Sequence, residues 1–486
     1  MIVAKAWKGR RYAVLGLARS GAATVRALVA SGAQVVAWDA DAETRAAFLP
    51  GTEFGVGLPP AIQDRAGSTI DPELGTVREA KGGGGYPLGG ALVDGHLHHP
   101  EDGPPPRAGE ELRVAEFGDL SEYDALVLSP GVPLNTHPLA AAARAAGVPV
   151  IGDIELFAQA RADLLPHKVV GITGTNGKST TTALVHHILV TAGTPALMGG
   201  NIGLPILAQE PLAAGGVYVL ELSSYQLDLT QTLDCEVAVL LNITPDHLDR
   251  YDGIDGYAAS KARLFAMQSP EHEAVIGIGD AYTAGIARSL SARGEYLTRI
   301  APGVCMDQRA WPALQGPHNA QNALAAIAVA RALEIDEATI DRALATFAGL
   351  PHRMEHIATV DGVAYVNDSK ATNPDSTAPA LAAFDRIHWI VGGRAKSDDL
   401  DACAPAFGHV VRAYAIGEAA PRFAAILNGH MPVEQAGTLA AAVASAASQA
   451  LAGETVLLSP ACASFDQFGD YEERGRAFRA AVEGLA

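Results

Sequence analysis

The chain of 486 residues lacks features that mark several classes of protein. Its four cysteines are far apart and form no C-x-x-C pair, which argues against a zinc ribbon or a dithiol redox site. Such sparse cysteine is typical of a reducing compartment, and we expect a cytoplasmic protein. The N-terminal segment has no apolar run of the signal-peptide kind, and no uncharged apolar stretch is long enough to span a bilayer.

Positive charge is also scarce, since 35 Lys and Arg are outnumbered by 54 Asp and Glu, for a net charge of −19. An acidic chain is poorly suited to bind nucleic acid or a membrane surface, and we expect neither partner. A small anionic substrate would need local Lys, Arg, Mg²⁺ or helix ends to supply positive field. A length of 486 residues suits two to four domains, and 49% hydrophobic residues suit a globular chain. We expect a monomer.

Residues 171–180 read Gly-Ile-Thr-Gly-Thr-Asn-Gly-Lys-Ser-Thr, between a β-branched run and a helical pattern. Glycines let backbone N–H groups approach phosphate oxygens, and the start of a helix adds positive field. Lys178 can reach the terminal phosphates, and the Ser179 hydroxyl can hold Mg²⁺. Ile172 breaks the strict P-loop string, so a helix-capping loop is the alternative. The predicted nucleotide-binding residues are Gly174, Thr175, Asn176, Gly177, Lys178, Ser179 and Thr180.

The first part of the chain, residues 1–160, begins as strand, glycine turn, helix and strand, a Rossmann-like βαβ pattern. Asp39 ends the second strand, about where such folds contact a ribose or a base. The dinucleotide fingerprint is weak, because Ala18 replaces its middle glycine. Ser129 and Gly131 follow a later strand and are expected at the same crevice.

The segment from about residue 58 to 111 has glycine and proline runs, many charges and little apolar periodicity. This composition predicts a loop insert or a disordered stretch. Its histidines, His96, His98 and His99, lack acid or cysteine partners at metal-site spacing, which favours a solvated loop over a metal site.

The second and third parts, residues 161–350 and 351–486, alternate predicted strands and helices. Three polar segments follow strand ends, where open parallel sheets bind ligands. They begin at Glu221, at Asn242 (leading to His247) and at Asp368. A carboxylate beside a phosphate loop suits Mg²⁺. Alone, Glu221 could be a helix-cap acid and His247 a helix-start histidine satisfied by backbone.

Several strings together resemble the Mur ligase family, ATP-dependent amide-forming enzymes of peptidoglycan synthesis. The strings lie at 152–157, 199–205, 221–227, 350–355, 367–373 and 459–468, and the last two are long and specific. The resemblance covers nearly the whole chain except the insert. It implies an α/β protein with three domains: a Rossmann-like domain for the UDP moiety, a central ATPase domain and a C-terminal Rossmann-like domain that closes over the site.

The strings are most similar to those of the member that adds D-glutamate to UDP-N-acetylmuramoyl-L-alanine through an acyl phosphate. The resemblance implies catalytic roles for Lys178, Glu221, His247 and Lys261, the last as a carbamylated lysine. Without the resemblance, Lys261 is expected to be a solvated lysine on a helix. The implied metal ligands are Ser179, Glu221, His247 and Lys261, and the implied further nucleotide contacts are Asn322, Arg353 and Asp368. Around the substrates it implies Ser20, Asp39, Ser129, Gly131, Asn201, Lys370, Thr372, Lys396, Ser464 and Tyr471.

The chain departs from the family pattern at Ala40 and Asp41, where a Thr-Arg pair can assist the acid that faces uracil, so uridine binding is expected to use different side chains. The insert has no counterpart in the pattern. A related amide ligase, of the Mur or folylpolyglutamate type, is the main alternative. A non-catalytic nucleotide-binding regulator and a Rossmann dehydrogenase are alternatives from other classes.

Overall fold

A computed structural model gives the fold of the chain and describes residues 1–41, 44–45, 69–70, 77–78, 117–247, 250–301, 306–311, 313–395 and 399–485. Across these ranges, no helix combines the length and apolar character needed to cross a membrane. Three main sheets follow one another along the chain, in four-, six- and six-stranded form.

The first sheet is four-stranded, parallel and ordered β2-β1-β5-β6. Its core lies where alternate residues of β1 and β5 pack against Phe117, Tyr123 and Leu139. The elements up to residue 160 are β1 (Arg11–Leu15), α1 (Arg19–Ala30), β2 (Gln34–Trp38), β3 (Thr69–Ile70), β4 (Val77–Arg78), β5 (Ala125–Leu128), α2 (Pro138–Ala145), β6 (Val150–Ile151) and α3 (Asp153–Ala160).

The predicted insert at 58–111 lies outside the described residues, apart from β3 and β4. These two short strands pair with each other in antiparallel fashion, Thr69 opposite Arg78 and Ile70 opposite Val77. The sequence pattern did not predict them.

The second sheet has six strands in the order β12-β11-β10-β7-β9-β8. Strand β7 pairs in parallel with β10 and β9, and β9 with β8. Every residue of β9 is buried, because helices cover both faces of such sheets. The elements are β7 (His167–Thr173), α4 (Lys178–Thr191), β8 (Ala196–Gly200), β9 (Gly216–Glu221), α5 (Ser224–Asp228), β10 (Val237–Leu240), α6 (Gly253–Ala266), β11 (Glu273–Gly277), α7 (Ala281–Ser289), β12 (Leu297–Ile300), α8 (Pro317–Ala332) and α9 (Glu337–Thr346).

The third sheet is ordered β13-β14-β18-β15-β16-β17 and is parallel except for the β13–β14 pair. Trp389 and Phe423 pack in the core on one side, and Tyr414 and Phe478 on the other. The elements are β13 (Glu355–Val360), β14 (Val363–Asn367), α10 (Pro374–Leu381), β15 (Ile387–Gly392), β16 (Val410–Ile416), α11 (Ala420–Leu427), β17 (Val433–Gly437), α12 (Leu439–Gln449), β18 (Thr455–Leu458) and α13 (Tyr471–Glu483).

The three α/β sheets confirm the predicted fold class. The chain divides into two compact units, each with most of its contacts inside itself. Unit 1 contains Met1–Thr175, Pro195–Ala274 and Arg288–Leu297, and unit 2 contains Asn176–Thr194, Val275–Ala287 and Thr298–Ala486. The domain bounds at residues 160 and 350 stay a prediction.

Candidate active site

In unit 1, a glycine turn joins the carboxyl ends of three strands. Gly16, after β1, has φ +96°, and a Cβ there would lie 2.5 Å from Oγ of Ser129, so only glycine fits. The Ser129 hydroxyl donates to the Gly16 carbonyl at 3.1 Å. The Asp39 carboxylate accepts from Leu17 N at 2.6 Å and from Asp41 N at 2.9 Å. Asp39 and Ser129 therefore shape the turn.

Ser20, in the first turn of α1, lines a small cavity beneath this turn together with Ser129 and Asp153. Gly131 is exposed beyond it. Asp153 is buried, and burial raises the pKa of its carboxyl to about 6, although Ile154 N donates to it at 3.0 Å. The structure thus brings Ser20, Asp39 and Ser129 to one crevice, as the pattern predicts.

Arg45 was not predicted at this crevice. Its guanidinium lies 4.1 Å from the centre of the Trp38 ring and donates to the carbonyls of Asp39 and Ala40 at 2.6 and 3.1 Å. The family pattern points only to positions 40 and 41 beside the acid. The sequence signal that could have indicated it is a basic residue six positions after Asp39.

The first half of the phosphate loop also lies in unit 1, directly after β7. Gly174 has φ +150°, and Thr175 N donates to the Asn242 carbonyl at 2.9 Å. The Thr175 hydroxyl and Thr244 exchange hydrogen bonds at 3.0 and 3.2 Å. The loop is thereby fixed to the segment that follows β10.

Lys261 is 1% exposed, although it was expected to lie on a helix surface in the absence of the family resemblance. Its Nζ donates to the Gly174 carbonyl at 2.9 Å and lies 4.4 Å from the centre of the Tyr257 ring. A buried ammonium held by a carbonyl and an aromatic face is costly, and α6 directs it toward the phosphate loop.

Glu221, the last residue of β9, is 2% exposed. Its Oε1 accepts from Asn201 Nδ2 at 2.9 Å, and its carbonyl accepts from Asn201 N at 2.8 Å. Its Oε2 is buried and has no hydrogen-bond partner in the described parts of the chain. A buried carboxylate oxygen without a partner is unfavourable, and a divalent cation is the ligand that such an oxygen suits. Glu221 therefore fits Mg²⁺.

His247 follows β10 with φ +54°, an uncommon backbone conformation for histidine. The centre of its ring lies 5.0 Å from that of Tyr225, and the Arg250 guanidinium lies 3.6 Å from the centre of the same Tyr225 ring. Arg250 also donates to the Val132 carbonyl at 2.8 Å. Neither Arg250 nor Tyr225 was predicted, because these contacts join segments far apart in sequence.

Within the described ranges, no three His, Cys, Asp or Glu side chains are grouped so as to hold a metal ion. The predicted ligand set differs in kind, because it includes a serine hydroxyl and a lysine. The histidines at 96, 98 and 99 lie outside the described residues.

In unit 2, Gly177 has φ +85° and is the N-cap residue of α4, as the phosphate-loop pattern predicts. Lys178 and Thr180 are half-buried and Asn176 is exposed. Ser179 is buried, and its Oγ accepts from Arg353 Nη2 at 3.1 Å. Asn322 is buried on α8 and donates to Asn319 Oδ1 at 3.1 Å.

Asp368 follows β14 and is buried. It accepts from Met354 N at 3.2 Å and from the Ser459 hydroxyl at 2.8 Å. Burial nevertheless raises the pKa of its carboxyl to about 7. The segment next to Arg353 is thus held by Asp368, which brings two of the predicted nucleotide contacts together.

The predicted amino-acid site of unit 2 contains Lys370, whose Nζ lies 3.8 Å from the centre of the Tyr471 ring. Burial and the neighbouring Glu472 raise the pKa of Tyr471 to about 12, so its hydroxyl stays protonated. Ser464 is buried, and Thr372 is half-buried. Lys396 lies outside the described residues.

Comparison with known proteins gives matches along the chain. Residues 172–301 match a family model described as Mur ligase middle domain, and residues 352–462 match one described as Mur ligase, glutamate ligase domain. The chain is 55% identical to the UDP-N-acetylmuramoylalanine–D-glutamate ligase of Novosphingobium aromaticivorans, covering 100% of this chain and 97% of the relative. It is 54% identical to the ligase of that name from Sphingopyxis alaskensis, covering 100% of both.

Solved structures are similar in fold. A UDP-N-acetylmuramate-alanine ligase from Thermotoga maritima matches with a TM-score of 0.54 and 14% identity, over 98% of this chain and 100% of that one. A MurF ligase from Thermotoga maritima in complex with ADP matches with a TM-score of 0.52 and 17% identity, over 75% and 90%.

Proposed function

The chain belongs to the Mur ligase family, and we propose that it joins D-glutamate to UDP-N-acetylmuramoyl-L-alanine with hydrolysis of ATP, in peptidoglycan precursor synthesis. The observation that carries this proposal is the identity of 54–55% along the entire chain with D-glutamate ligases. The phosphate-loop residues and the buried carboxylates described in the two units have the chemistry that such a reaction needs.

In the first step, the L-alanine carboxylate of the UDP-linked substrate attacks the γ-phosphorus of ATP. The bond between that phosphorus and the β–γ bridging oxygen breaks, ADP leaves, and an acyl phosphate forms. Gly174 to Thr180 bind the phosphates, and Lys178 stabilises the negative charge that develops. Arg353 holds the Ser179 hydroxyl at 3.1 Å, which orients it within the phosphate loop.

In the second step, the amine of D-glutamate attacks the acyl carbon, the carbon–oxygen bond to phosphate breaks, and phosphate leaves as the amide forms. Lys370, Thr372, Lys396, Ser464 and Tyr471 bind the incoming amino acid. The ammonium of Lys370, which lies over the Tyr471 ring, supplies one positive charge at this site. A positive charge suits the dicarboxylate D-glutamate.

Mg²⁺, when bound, neutralises phosphate charge and polarises the γ-phosphoryl group. Ser179, Glu221, His247 and Lys261 would hold it. Lys261 fits this role only if its amine has reacted with CO₂, because the resulting carbamate supplies an anionic oxygen where the ammonium would repel a cation. The orphan Oε2 of Glu221 supports the metal assignment.

We assign residues 1–160 to the UDP-linked substrate, 161–350 to ATP and 351–486 to the incoming amino acid. Ser20, Asp39, Ser129 and Gly131 bind the nucleotide end of the substrate, and Asn201 binds the muramoyl group. Asn322 and Asp368 assist nucleotide binding. The protein acts as a monomer in the cytoplasm.

Phosphate release measured with a coupled assay tests the reaction. Release should require ATP, UDP-N-acetylmuramoyl-L-alanine and D-glutamate together. Equal release with L-lysine or diaminopimelate in place of D-glutamate would point to another Mur ligase, and release with a folate substrate to a folylpolyglutamate-type ligase.

A further inference from the structure

Arg19 joins the nucleotide end of unit 1 to the loop that carries Asn201. It is the first residue of α1, next to Ser20, and it is exposed. Its Nη2 donates to the Gly203 carbonyl at 3.1 Å, 184 residues away in sequence. This contact is therefore a tertiary link between the glycine turn and the segment after β8.

The short loop at 200–204 is held at two points, by Glu221 at Asn201 and by Arg19 at Gly203. Gly200 has φ +86°, and a Cβ there would lie 2.1 Å from the Glu221 carbonyl oxygen, so the loop starts where only glycine fits. Asn201 holds Glu221 through its backbone and its side chain. Because Gly203 is two residues further, its Cα lies within about 7 Å of that of Asn201.

The proposed substrate has to extend along this loop. We assign its nucleotide end to the turn near Ser20 and Ser129, and its acyl end to the region of Asn201 and the metal site proposed at Glu221. The diphosphate lies between these ends in the substrate's covalent structure. Arg19 links these two regions, because it is adjacent to Ser20 and donates to the Gly203 carbonyl.

The charge of Arg19 is available for an anion. None of the described carboxylates forms an ion pair with it, and the one hydrogen bond to Gly203 uses one of the five N–H donors of a guanidinium. The planar fork can bind a backbone carbonyl on one side and phosphate oxygens on another. In a chain of net charge −19, such a cation matters for an anionic substrate.

We propose that Arg19 is a specificity-determining residue that binds the diphosphate of the UDP-linked substrate and holds the Asn201 loop through the Gly203 carbonyl. This inference rests on the proposed function, since it takes the UDP-linked substrate as given. The residue thereby selects nucleotide-linked substrates and positions their acyl end.

The test compares Arg19→Ala and Arg19→Lys with Arg26→Ala, which removes an exposed arginine from the same helix. Ligand-observed NMR measures the binding of UDP and of uridine, which lacks the diphosphate. Arg19→Ala should weaken UDP binding about 10- to 100-fold, the effect of losing a hydrogen bond to a charged group. Uridine binding should change less than about threefold, and Arg19→Lys should keep part of the UDP affinity because it keeps the charge.

A merely structural role would weaken UDP and uridine equally, and that result, or unchanged UDP binding, would overturn the inference. Arg26→Ala should leave both affinities unchanged, and thermal unfolding checks that each variant is folded. The proposed function fails by a different result: the wild-type protein would not turn over UDP-N-acetylmuramoyl-L-alanine with D-glutamate. A wild-type protein that binds UDP beside an unaffected Arg19→Ala variant overturns the Arg19 inference alone.

Discussion

Two buried glutamates, one in each unit, differ in how their oxygens are used. Glu454 precedes β18, and its Oε1 accepts from Arg386 while its Oε2 accepts from His388 Nε2 at 2.9 Å and Leu451 N at 2.9 Å. The hydrogen bonds hold the pKa of its carboxyl at about 2. Glu221 is equally buried, yet its Oε2 has no partner in the part of the chain that the structure describes.

The difference separates a carboxylate that stabilises the fold from one that suits a ligand. Burial of a charge is unfavourable unless its lone pairs are satisfied. Both oxygens of Glu454 are hydrogen-bonded within its own unit, whereas Oε2 of Glu221 has no partner among the described residues. We therefore expect substitutions at Glu454 to reduce stability and substitutions at Glu221 to reduce activity.

Two buried cations also differ in which part of their unit they contact. Arg474 donates to the Ser369 hydroxyl, the Ser369 carbonyl and the Cys462 carbonyl at 2.8 to 3.0 Å. Lys261 has the Gly174 carbonyl and an aromatic face. The guanidinium is held by a network within the C-terminal sheet region, and the ammonium contacts the phosphate loop.

The largest effect is expected for Lys261→Ala. If Lys261 acts as a carbamate, the variant should be nearly inactive, with the rate of phosphate release reduced about 10³-fold. Acetate should restore part of the activity, because it replaces the missing anion. A variant with wild-type turnover would show that the buried amine serves packing only, and thermal unfolding confirms that the protein is folded.

Glu221→Gln should reduce phosphate release about 10²-fold or more, since it removes the charge proposed to bind Mg²⁺. The amide is similar in shape, so unfolding temperature should stay the same or rise, because a buried charge is lost. Magnesium titration of the activity should shift to higher concentration. An unfolded variant, or one whose magnesium dependence is unchanged, would contradict the contrast with Glu454.

Glu454→Gln should instead cost about 1–3 kcal/mol of unfolding free energy, because the amide weakens the hydrogen bonds from the buried His388 and the largely exposed Arg386. Turnover of the folded protein should be within about twofold of wild type. Denaturant unfolding measures the first quantity, and the coupled assay measures the second.

The pH dependence sharpens the same test. The folded pKa of Glu454 lies near 2, below its usual 4.5, so its stabilisation is complete above the usual value and is lost as pH falls toward the folded one. The stability difference between wild type and Glu454→Gln should therefore shrink as pH falls from about 4.5 toward 2. A difference independent of pH in that window would show that the carboxylate's charge is not what stabilises the fold.

The local parts of the site could be predicted from the sequence. The phosphate loop, between β7 and α4, follows from glycine spacing within ten residues. Glu221 follows from its place at the end of an apolar run. The family strings extended this to the ligase fold and family, which the relatives confirm.

The contacts between distant segments could not be predicted. Arg19 reaches Gly203, Arg250 reaches Val132, and each depends on how two parts of unit 1 pack. The burial of Lys261 is of the same kind, because without the family resemblance a solvated helix lysine is expected there. The pairing of Thr69–Ile70 with Val77–Arg78 had no apolar pattern to indicate it.

The smallest expected effect concerns Asp153, a third buried carboxyl, which has no described cation beside it. Burial raises its folded pKa to about 6 from the usual 3.8, so the folded state binds a proton that the unfolded state releases over this range. Wild-type stability should consequently fall as pH rises from about 4 to 6, and stay lower above it. An amide at this position can still accept from Ile154 N but carries no charge, so Asp153→Asn should remove this fall and gain about 1 kcal/mol at pH 8.

Asp119→Asn provides the opposite control for Asp153→Asn. Asp119 accepts from Ser121 N at 2.9 Å at an exposed helix start, and this hydrogen bonding lowers the pKa of its carboxyl. Its stabilisation is present above the usual pKa and is lost as pH falls, so Asp119→Asn should reduce stability at neutral pH and approach wild type in acid. Denaturant unfolding at pH 4, 6 and 8 gives both curves. If both variants moved in the same direction with pH, burial would not be what distinguishes a carboxylate without partners from one that caps a helix.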